Sequence, residues 1–217
     1  MITAVVAVRE GSQRCKNKNN RPFGDTNLLQ MKLELLKKVK NLDEIIVNSE
    51  SEEMLQVGLD NGVKIHKRDP YYASSKINNS EMHGHMADTT KTDTIFLAPV
   101  CSPFVSVSSH EKAIDFFLKN KFDSVTSVTE VKNHLWLDGK PLNYTLDNVP
   151  NSQDLPDVVK LNYGITIIDR EVMKRKRAVI GDKPGFYKLN EIESIDVDTE
   201  FDWLVAERIY EHMKKNA

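Results

Sequence analysis

Cysteine is scarce: Cys15 and Cys101 are the only two in 217 residues. That excludes a disulfide framework and a cysteine-rich zinc module, and a reducing compartment is the simplest setting. A basic excess is also missing. Against 30 Lys and Arg stand 32 Asp and Glu, for a net charge of −2, so the electrostatic footprint of a general nucleic-acid binder is absent. No run approaches the roughly 20 apolar residues of a membrane span. The apolar start, Met1 to Val8, is broken by Arg9 and Glu10, too early for a secretory signal. The expectation is a cytoplasmic protein that touches neither membrane nor nucleic acid. There are no internal repeats and no low-complexity tract. What is present is 40% hydrophobic and 29% charged residues, the composition of an ordinary globular chain, in a length that suits one domain over 1–217.

The hydrophobic pattern predicts alternating strands and helices. Ile2 to Val8 is a continuous β-branched run, as in a strand buried on both faces. Further strands are expected at Glu44–Asn48, Val63–His66, Thr94–Leu97, Asp123–Thr129 and Asn162–Ile168. Helices are expected at Leu28–Val39, at Ser51–Gly62 with Ser51 as cap, at Ser109–Asn120 and at Glu200–Met213. Such alternation means βαβ units and a mostly parallel, three-layer α/β sheet of Rossmann-like type. Right-handed crossovers put the loops after the strands along one edge, where ligands bind in open α/β sheets. The stretch 130–160 holds Gly139, Pro141, Pro150 and Pro156 and interrupts the pattern, which predicts an inserted arm, an interface or lid.

Two features carry chemistry. The loop after the first strand has five cations in thirteen residues, from Arg9 to Arg21, around Gly11 and Ser12. Gly11 would let the backbone approach a phosphate closely, neighbouring N–H groups can form an anion nest, and Arg9, Arg14 and Lys18 can neutralise a polyphosphate. The spacing fits neither G-x-G-x-x-G nor G-x-x-x-x-G-K-[ST]; the plain alternative is a solvated basic loop. The second feature is Asp196-Val197-Asp198 before an amphipathic helix. In an extended segment residues two apart share a side, and paired carboxylates repel unless a cation lies between them. Mg²⁺, which takes carboxylate oxygens together with substrate phosphates, suits that pair. The plain alternative is that Asp198 or Thr199 caps the helix. Together, the two features suggest a nucleoside triphosphate attacked at phosphorus.

At this point the chain resembles the cytidylyltransferases that activate acidic sugars, chiefly the CMP-N-acylneuraminate (sialic acid) synthetases. Their first loop, approximately A-R-G-G-S-K-R-x-x-x-K-N, is similar to Val8-Arg9-Glu10-Gly11-Ser12-Gln13-Arg14 followed by Lys18-Asn19. Their P-T-S-P-L is similar to Val100-Cys101-Ser102-Pro103-Phe104, and their L-P…N-G-A-I-Y-I to Leu155-Pro156 and Asn162 to Ile167. Their E-S-I-D-I-D-T…D-F is similar to Glu193 to Thr199 and Asp202-Trp203, and a weaker R-P…L-A match falls at Arg68 to Ser75. The resemblance implies a nucleotidyltransferase fold, often a homodimer built on the arm. CTP and an acidic sugar acceptor would be the partners. Arg9, Gly11, Ser12, Arg14, Lys18 and Asn19 would hold the triphosphate, and Ala73 and Ser75 would lie near cytosine. Asn162 and Ser102 would serve the acceptor, with Asp196 and Asp198 as Mg²⁺ ligands.

The chain departs from that pattern at Gln13 (often Lys, with Lys16 as a possible substitute), Pro99 (often Gln), Cys101 (Thr), Ser152 (Arg) and Tyr163 (Gly). Most of these lie on the acceptor side. A cytidylyltransferase for a different acidic acceptor, such as 3-deoxy-manno-octulosonate, another nonulosonate or a phosphonate, and a catalytically silent nucleotide-binding protein are the alternatives. His83 and His85, Lys174–Arg177, Trp136 and Trp203 are assigned no chemistry; the two Trp are expected to pack.

Overall fold

The computed structural model describes residues 1–12 and 14–215. A seven-stranded sheet forms its centre. In chain order the strands are β1 (Ile2–Ala7), β2 (Glu44–Ser49), β3 (Lys64–Lys67), β4 (Thr94–Leu97), β5 (Ser124–Val131), β6 (Val158–Asp169) and β7 (Pro184–Lys188). Across the sheet they run β7-β5-β6-β4-β1-β2-β3. β1 pairs in parallel with both β2 and β4, whereas β6 is antiparallel to β4 and β5. The expected mostly parallel α/β sheet is therefore observed, with β6 reversed.

Side-chain alternation along β1 sorts the core into two layers. Ile2, Ala4, Val6 and Val8 join a large cluster with Leu28, Leu29, Leu33 and Leu36 of α1 (Leu28–Leu36), Ala113 and Ile114 of α4 (Val107–Lys119), and Trp203 and Ala206 of α6 (Glu200–Lys215). Val5 joins a smaller cluster on the opposite face with Met86 and Ala87 of α3 (Asn79–Thr89) and Met173 of α5 (Arg170–Lys176). α2 (Glu52–Asp60) covers β2 and β3.

Several expected boundaries move. α1 stops at Leu36, three residues early, and is capped by the Asn27 side chain, which accepts from the Gln30 N–H at 2.8 Å. Ser51 sits at the start of α2 without a side-chain capping bond; Glu52 and Glu53 supply the favourable charge in the first turn instead. The irregular arm is shorter than 130–160, because β5 runs on to Val131 and β6 begins at Val158. Between them lie a two-residue hairpin (Trp136–Leu137 with Lys140–Pro141) and a short 3₁₀ turn, Ser152–Asp154. Trp136 is exposed on that hairpin, where its indole donates to the Tyr144 hydroxyl at 2.6 Å, so the expectation that it packs fails. Trp203 does pack, at 1% exposure.

α6 closes the molecule by gripping the first loop. Phe23, fully buried, meets the Trp203 ring edge-on at 5.2 Å and the Tyr210 ring at 5.1 Å. The Arg21 guanidinium lies 4.4 Å above the Trp203 ring and pairs with Glu200 at 2.7 Å. Gly24, in the turn between the short antiparallel pair Pro22–Phe23 and Thr26–Asn27, has φ +60°, and a Cβ there would run into the Tyr210 ring, so this turn needs glycine on both counts.

Candidate active site

The carboxyl ends of β1 and β4 open onto a cleft of about 470 Å³. Its lining includes Arg9, Ser12, Arg14, Lys18 and Asn19 from the first loop, Arg68 and Tyr72 to Ser75 from the segment after β3, Pro99 to Cys101 after β4, and Asp198. The position follows from topology, since adjacent parallel strands deliver their following loops to one edge.

Within the cleft the first loop meets the segment before α6. Arg14 Nη2 donates to Asp198 Oδ2 at 3.0 Å. Lys18 Nζ donates to Asp198 Oδ1 at 3.0 Å and to the Val197 carbonyl at 2.7 Å. Exposure separates the two cations: the Arg14 side chain is 71% exposed and the Lys18 side chain 15%. Arg14 is free to turn onto a bound anion, whereas Lys18 is fixed by two acceptors. Asn19 donates to the Arg9 carbonyl at 2.9 Å, and Arg9 Nη1 to the Ala73 carbonyl at 2.9 Å, which ties the loop to the far wall. Gly11 adopts φ +73° with open space around it. Gln13 lies outside the described residues. Lys16 is not in this cleft; its N–H donates to Glu200 at 3.1 Å and it lines a separate groove with Arg21 and Glu53.

Thr199, not Asp198, caps α6. Its hydroxyl accepts from the Asp202 N–H at 3.2 Å, and Asp202 accepts from the Thr199 N–H at 2.8 Å. Asp198 is thereby left to the cations. Val197 is buried, its N–H donating to the Cys101 carbonyl at 2.8 Å, so Asp196 and Asp198 flank it on the other side, as alternation requires. They face different hollows, however. Asp198 lines the first cleft, while Asp196 lines a second one with Lys160, Asn162, Tyr163 and Ser194. Burial holds the Asp196 carboxyl above the usual carboxylate range; the Cys101 thiol bonded to it pulls the other way, and Asp198 adds to the rise. Asp196 Oδ1 is buried without a hydrogen-bond partner. Burial, with Asp196 adding to it, pushes the Cys101 thiol up to about 12, which removes it as a nucleophile.

Two acceptor-side expectations are modified. Ser102 is buried at 2% and its carbonyl accepts from Lys32 at 2.9 Å; it lines neither cleft. Asn162 does line the second hollow, but its amide is consumed internally. Its Nδ2 donates to Thr129 at 2.8 Å and Ser194 at 3.2 Å, and its Oδ1 accepts from Ser127 and from the Gly164 N–H. It shapes this wall and offers it no free polar atom. Tyr163 beside it has φ +54° and is 44% exposed, a conformation that costs a bulky residue about 1 kcal/mol. Tyr163→Gly should therefore raise Tm by roughly 2–4 °C in a chain of this size; an unchanged or lower calorimetric Tm would contradict the strain.

Sequence reasoning missed parts of the far wall. Arg68, 5% exposed, donates to the Val8 carbonyl and to Glu50. Tyr72 stacks on His85 at 3.8 Å and 6°, so His85 backs the cleft and is not placed for a metal. The one readable signal was Asn78-x-x-Glu81, a capping box that starts α3.

A family model described as Cytidylyltransferase matches residues 3–155. Among curated proteins, the chain is 23% identical to post-translational flagellin modification protein B of Campylobacter coli, over 95% of this chain and 93% of that protein. It is 22% identical to CMP-N,N'-diacetyllegionaminic acid synthase of Campylobacter jejuni, over 95% and 93%. It is 23% identical to N-acylneuraminate cytidylyltransferase A of Danio rerio over 95% of this chain, but spans 50% of that longer protein. Among solved structures, a CMP:2-keto-3-deoxy-manno-octonic acid synthetase complexed with CTP superposes with TM-score 0.71 at 13% identity, covering 98% of this chain and 99% of that one. A 4-diphosphocytidyl-2C-methyl-D-erythritol synthase from Anaerococcus prevotii does so with TM-score 0.73 at 15% identity, covering 97% and 96%.

Proposed function

The chain belongs to the cytidylyltransferase family, and from that footing we propose that it transfers CMP from CTP to an acidic 2-keto sugar and releases pyrophosphate. The observation that carries the reading is the convergence of Arg14 and Lys18 on Asp198, each at 3.0 Å, at one cleft. A cationic loop and a carboxylate segment some 180 residues apart meet where a triphosphate fits.

In this reading Arg9, Ser12, Arg14, Lys18 and Asn19 hold the phosphates. Tyr72, Ala73 and Ser75 form the wall beside the base. The acceptor hydroxyl oxygen forms a bond to the α-phosphorus, the bond from that phosphorus to the bridging oxygen breaks, the hydroxyl proton passes to water and pyrophosphate departs. Arg14, largely exposed, turns from Asp198 to the leaving group and offsets its charge; Lys18 stays to hold the carboxylate segment in place. The work is positioning and charge neutralisation.

Asp198 in the first cleft and Asp196 in the second hollow are the carboxylates that would hold a Mg²⁺ ion. Asp196 Oδ1 is buried with no hydrogen-bond partner, an acceptor that a cation would satisfy. Such an ion would draw its remaining ligands from phosphate and water. When bound, Mg²⁺ would supply charge neutralisation at the α-phosphate.

The second hollow, with Lys160, Tyr163 and Asp196, is the candidate acceptor side. Tyr163 in place of glycine favours an acceptor shaped differently from N-acetylneuraminate. The arm exposes Trp136, Leu137, Leu142, Leu146 and Val149, an apolar surface that supports a homodimer. No helix among the described residues is long and apolar enough to cross a membrane.

Two measurements test the reading. With Mg²⁺ present, CTP should raise the apparent Tm more than ATP, GTP or UTP, since a ligand of the native state stabilises it; equal shifts from all four would count against it. Pyrophosphate release should then appear with CTP and one of a panel of acidic sugars. CTP binding with no release from any acceptor would leave a nucleotide-binding protein without transfer activity.

A further inference from the structure

Lys32 is a buried ammonium that neither cleft uses. It lies on the core face of α1 at 1% exposure. Among the described residues no carboxylate forms an ion pair with it. Its hydrogen bond goes to the Ser102 carbonyl, at 2.9 Å. Burial lowers its pKa to about 8. The nearby His110, itself fully buried, has its pKa lowered to about 3 by burial and by Lys32; its Nδ1 lies 2.7 Å from the Ser106 carbonyl and its Nε2 has no partner. A neighbour of that kind gives the ammonium no compensation. A buried cation without a counter-charge destabilises a fold, and an apolar residue of similar volume would serve the core better.

The place where Lys32 donates explains why it could be kept. The turn that begins at Pro99 supplies the floor of the first cleft with Pro99, Val100 and Cys101. Cys101 holds the carboxylate segment through its carbonyl, which accepts the Val197 N–H at 2.8 Å. Lys18 grips the same segment from the other side, at Val197 and Asp198. At the far end of the turn, Glu193 accepts from the Ser106 N–H at 3.0 Å and the Ser109 hydroxyl at 2.7 Å. The turn is therefore pinned at Ser102 and at Ser106, and Asp196 to Asp198 dock on the part nearest Lys32.

We propose that Lys32 is a positioning residue for the transfer reaction: by donating to the Ser102 carbonyl it holds the Pro99–Pro103 turn, and through Cys101 the Asp196–Asp198 segment, in register with the first loop. It touches no reacting atom and acts through the backbone of the turn. The inference rests on the cytidylyltransferase reading for its consequence in turnover, but its structural half stands apart from it.

The test compares Lys32→Met, which keeps the volume and removes the donor, with Lys32→Gln, which keeps an amide donor without the charge. Melting temperature, hydrogen exchange at the peptide covering 195–198, and kcat and KM for CTP are measured on each. Lys32→Met should melt at or above the wild-type temperature, exchange the Val197 amide about tenfold faster, and lose roughly tenfold or more in kcat with KM for CTP changed less than threefold. Lys32→Gln should fall between the two proteins in exchange and in kcat. Wild-type exchange at 195–198 in Lys32→Met would overturn the proposal. So would a large drop in Tm in both variants, because the ammonium would then be holding the core and not the site. A wild-type protein that shows no turnover with any acceptor overturns the functional reading instead, and the exchange measurement still decides the role of Lys32.

Discussion

Asp198→Ala is expected to lower kcat by about 10²–10³-fold while leaving CTP binding within a few-fold of wild type. Asp198 is the acceptor shared by Arg14 and Lys18 and, in the proposed reaction, a carboxylate that would hold Mg²⁺. Removing a ligand of the cation that would offset charge as the CMP group is transferred costs roughly 3–4 kcal/mol of barrier, and each 1.36 kcal/mol is about a factor of ten. Ground-state binding should survive, because the two freed cations remain at the cleft and attract the triphosphate. Stability should fall by roughly 1–3 kcal/mol: the exposed Arg14 pair contributes little, but Lys18, 15% exposed, keeps only the Val197 carbonyl as acceptor. Steady-state kinetics at saturating Mg²⁺, with calorimetric titration of CTP, separates the two effects. Near-full Mg²⁺-dependent turnover in Asp198→Ala would remove this residue from the reaction.

Trp203→Ala is expected to cost about 3–5 kcal/mol of stability, the range for deleting a buried aromatic, and to lower Tm by roughly 10 °C or more. The ring is 1% exposed, packs edge-on against Phe23 and lies under the Arg21 guanidinium. It is the main apolar joint between α6 and the first loop. A cavity there loosens the joint as well as the core, so the remaining folded protein should show a higher KM for CTP than wild type. Trp203→Phe, which keeps a ring against Phe23, should recover about half of the lost stability. Denaturant unfolding followed by fluorescence, with KM measured well below Tm, checks both parts. A Trp203→Ala protein within 1 kcal/mol of wild type would mean that the loop is held by its ion pairs instead.

Much of this architecture was legible because it is local. The β-branched run Ile2 to Val8 reads as a buried strand, and the alternation that follows it reads as a parallel sheet, since period and burial are properties of a few neighbouring residues. The second half was harder. β6 runs from Val158, but its first residues, Val158 to Leu161, are half-buried or exposed and a register shift follows them, so hydrophobicity marks only its buried end. Nothing in Pro184–Lys188 signals a strand that must find β5 some 60 residues earlier.

The site divides along the same line. The chain's own residues determined that a cationic loop follows the first strand and that two carboxylates alternate around Val197, because turn chemistry and strand periodicity are written within a dozen residues. Which groups touch was decided by the tertiary structure. The sheet order brings β4 beside β1, and α6 packs on the first loop through Trp203; those two contacts set Lys18 against Asp198. They also bury Ser102, consume the amide of Asn162 and turn Asp196 toward a different hollow from Asp198. Each of these depends on a neighbour more than 30 residues away in the chain, and closing such distances is the work of the folded core, not of any local preference.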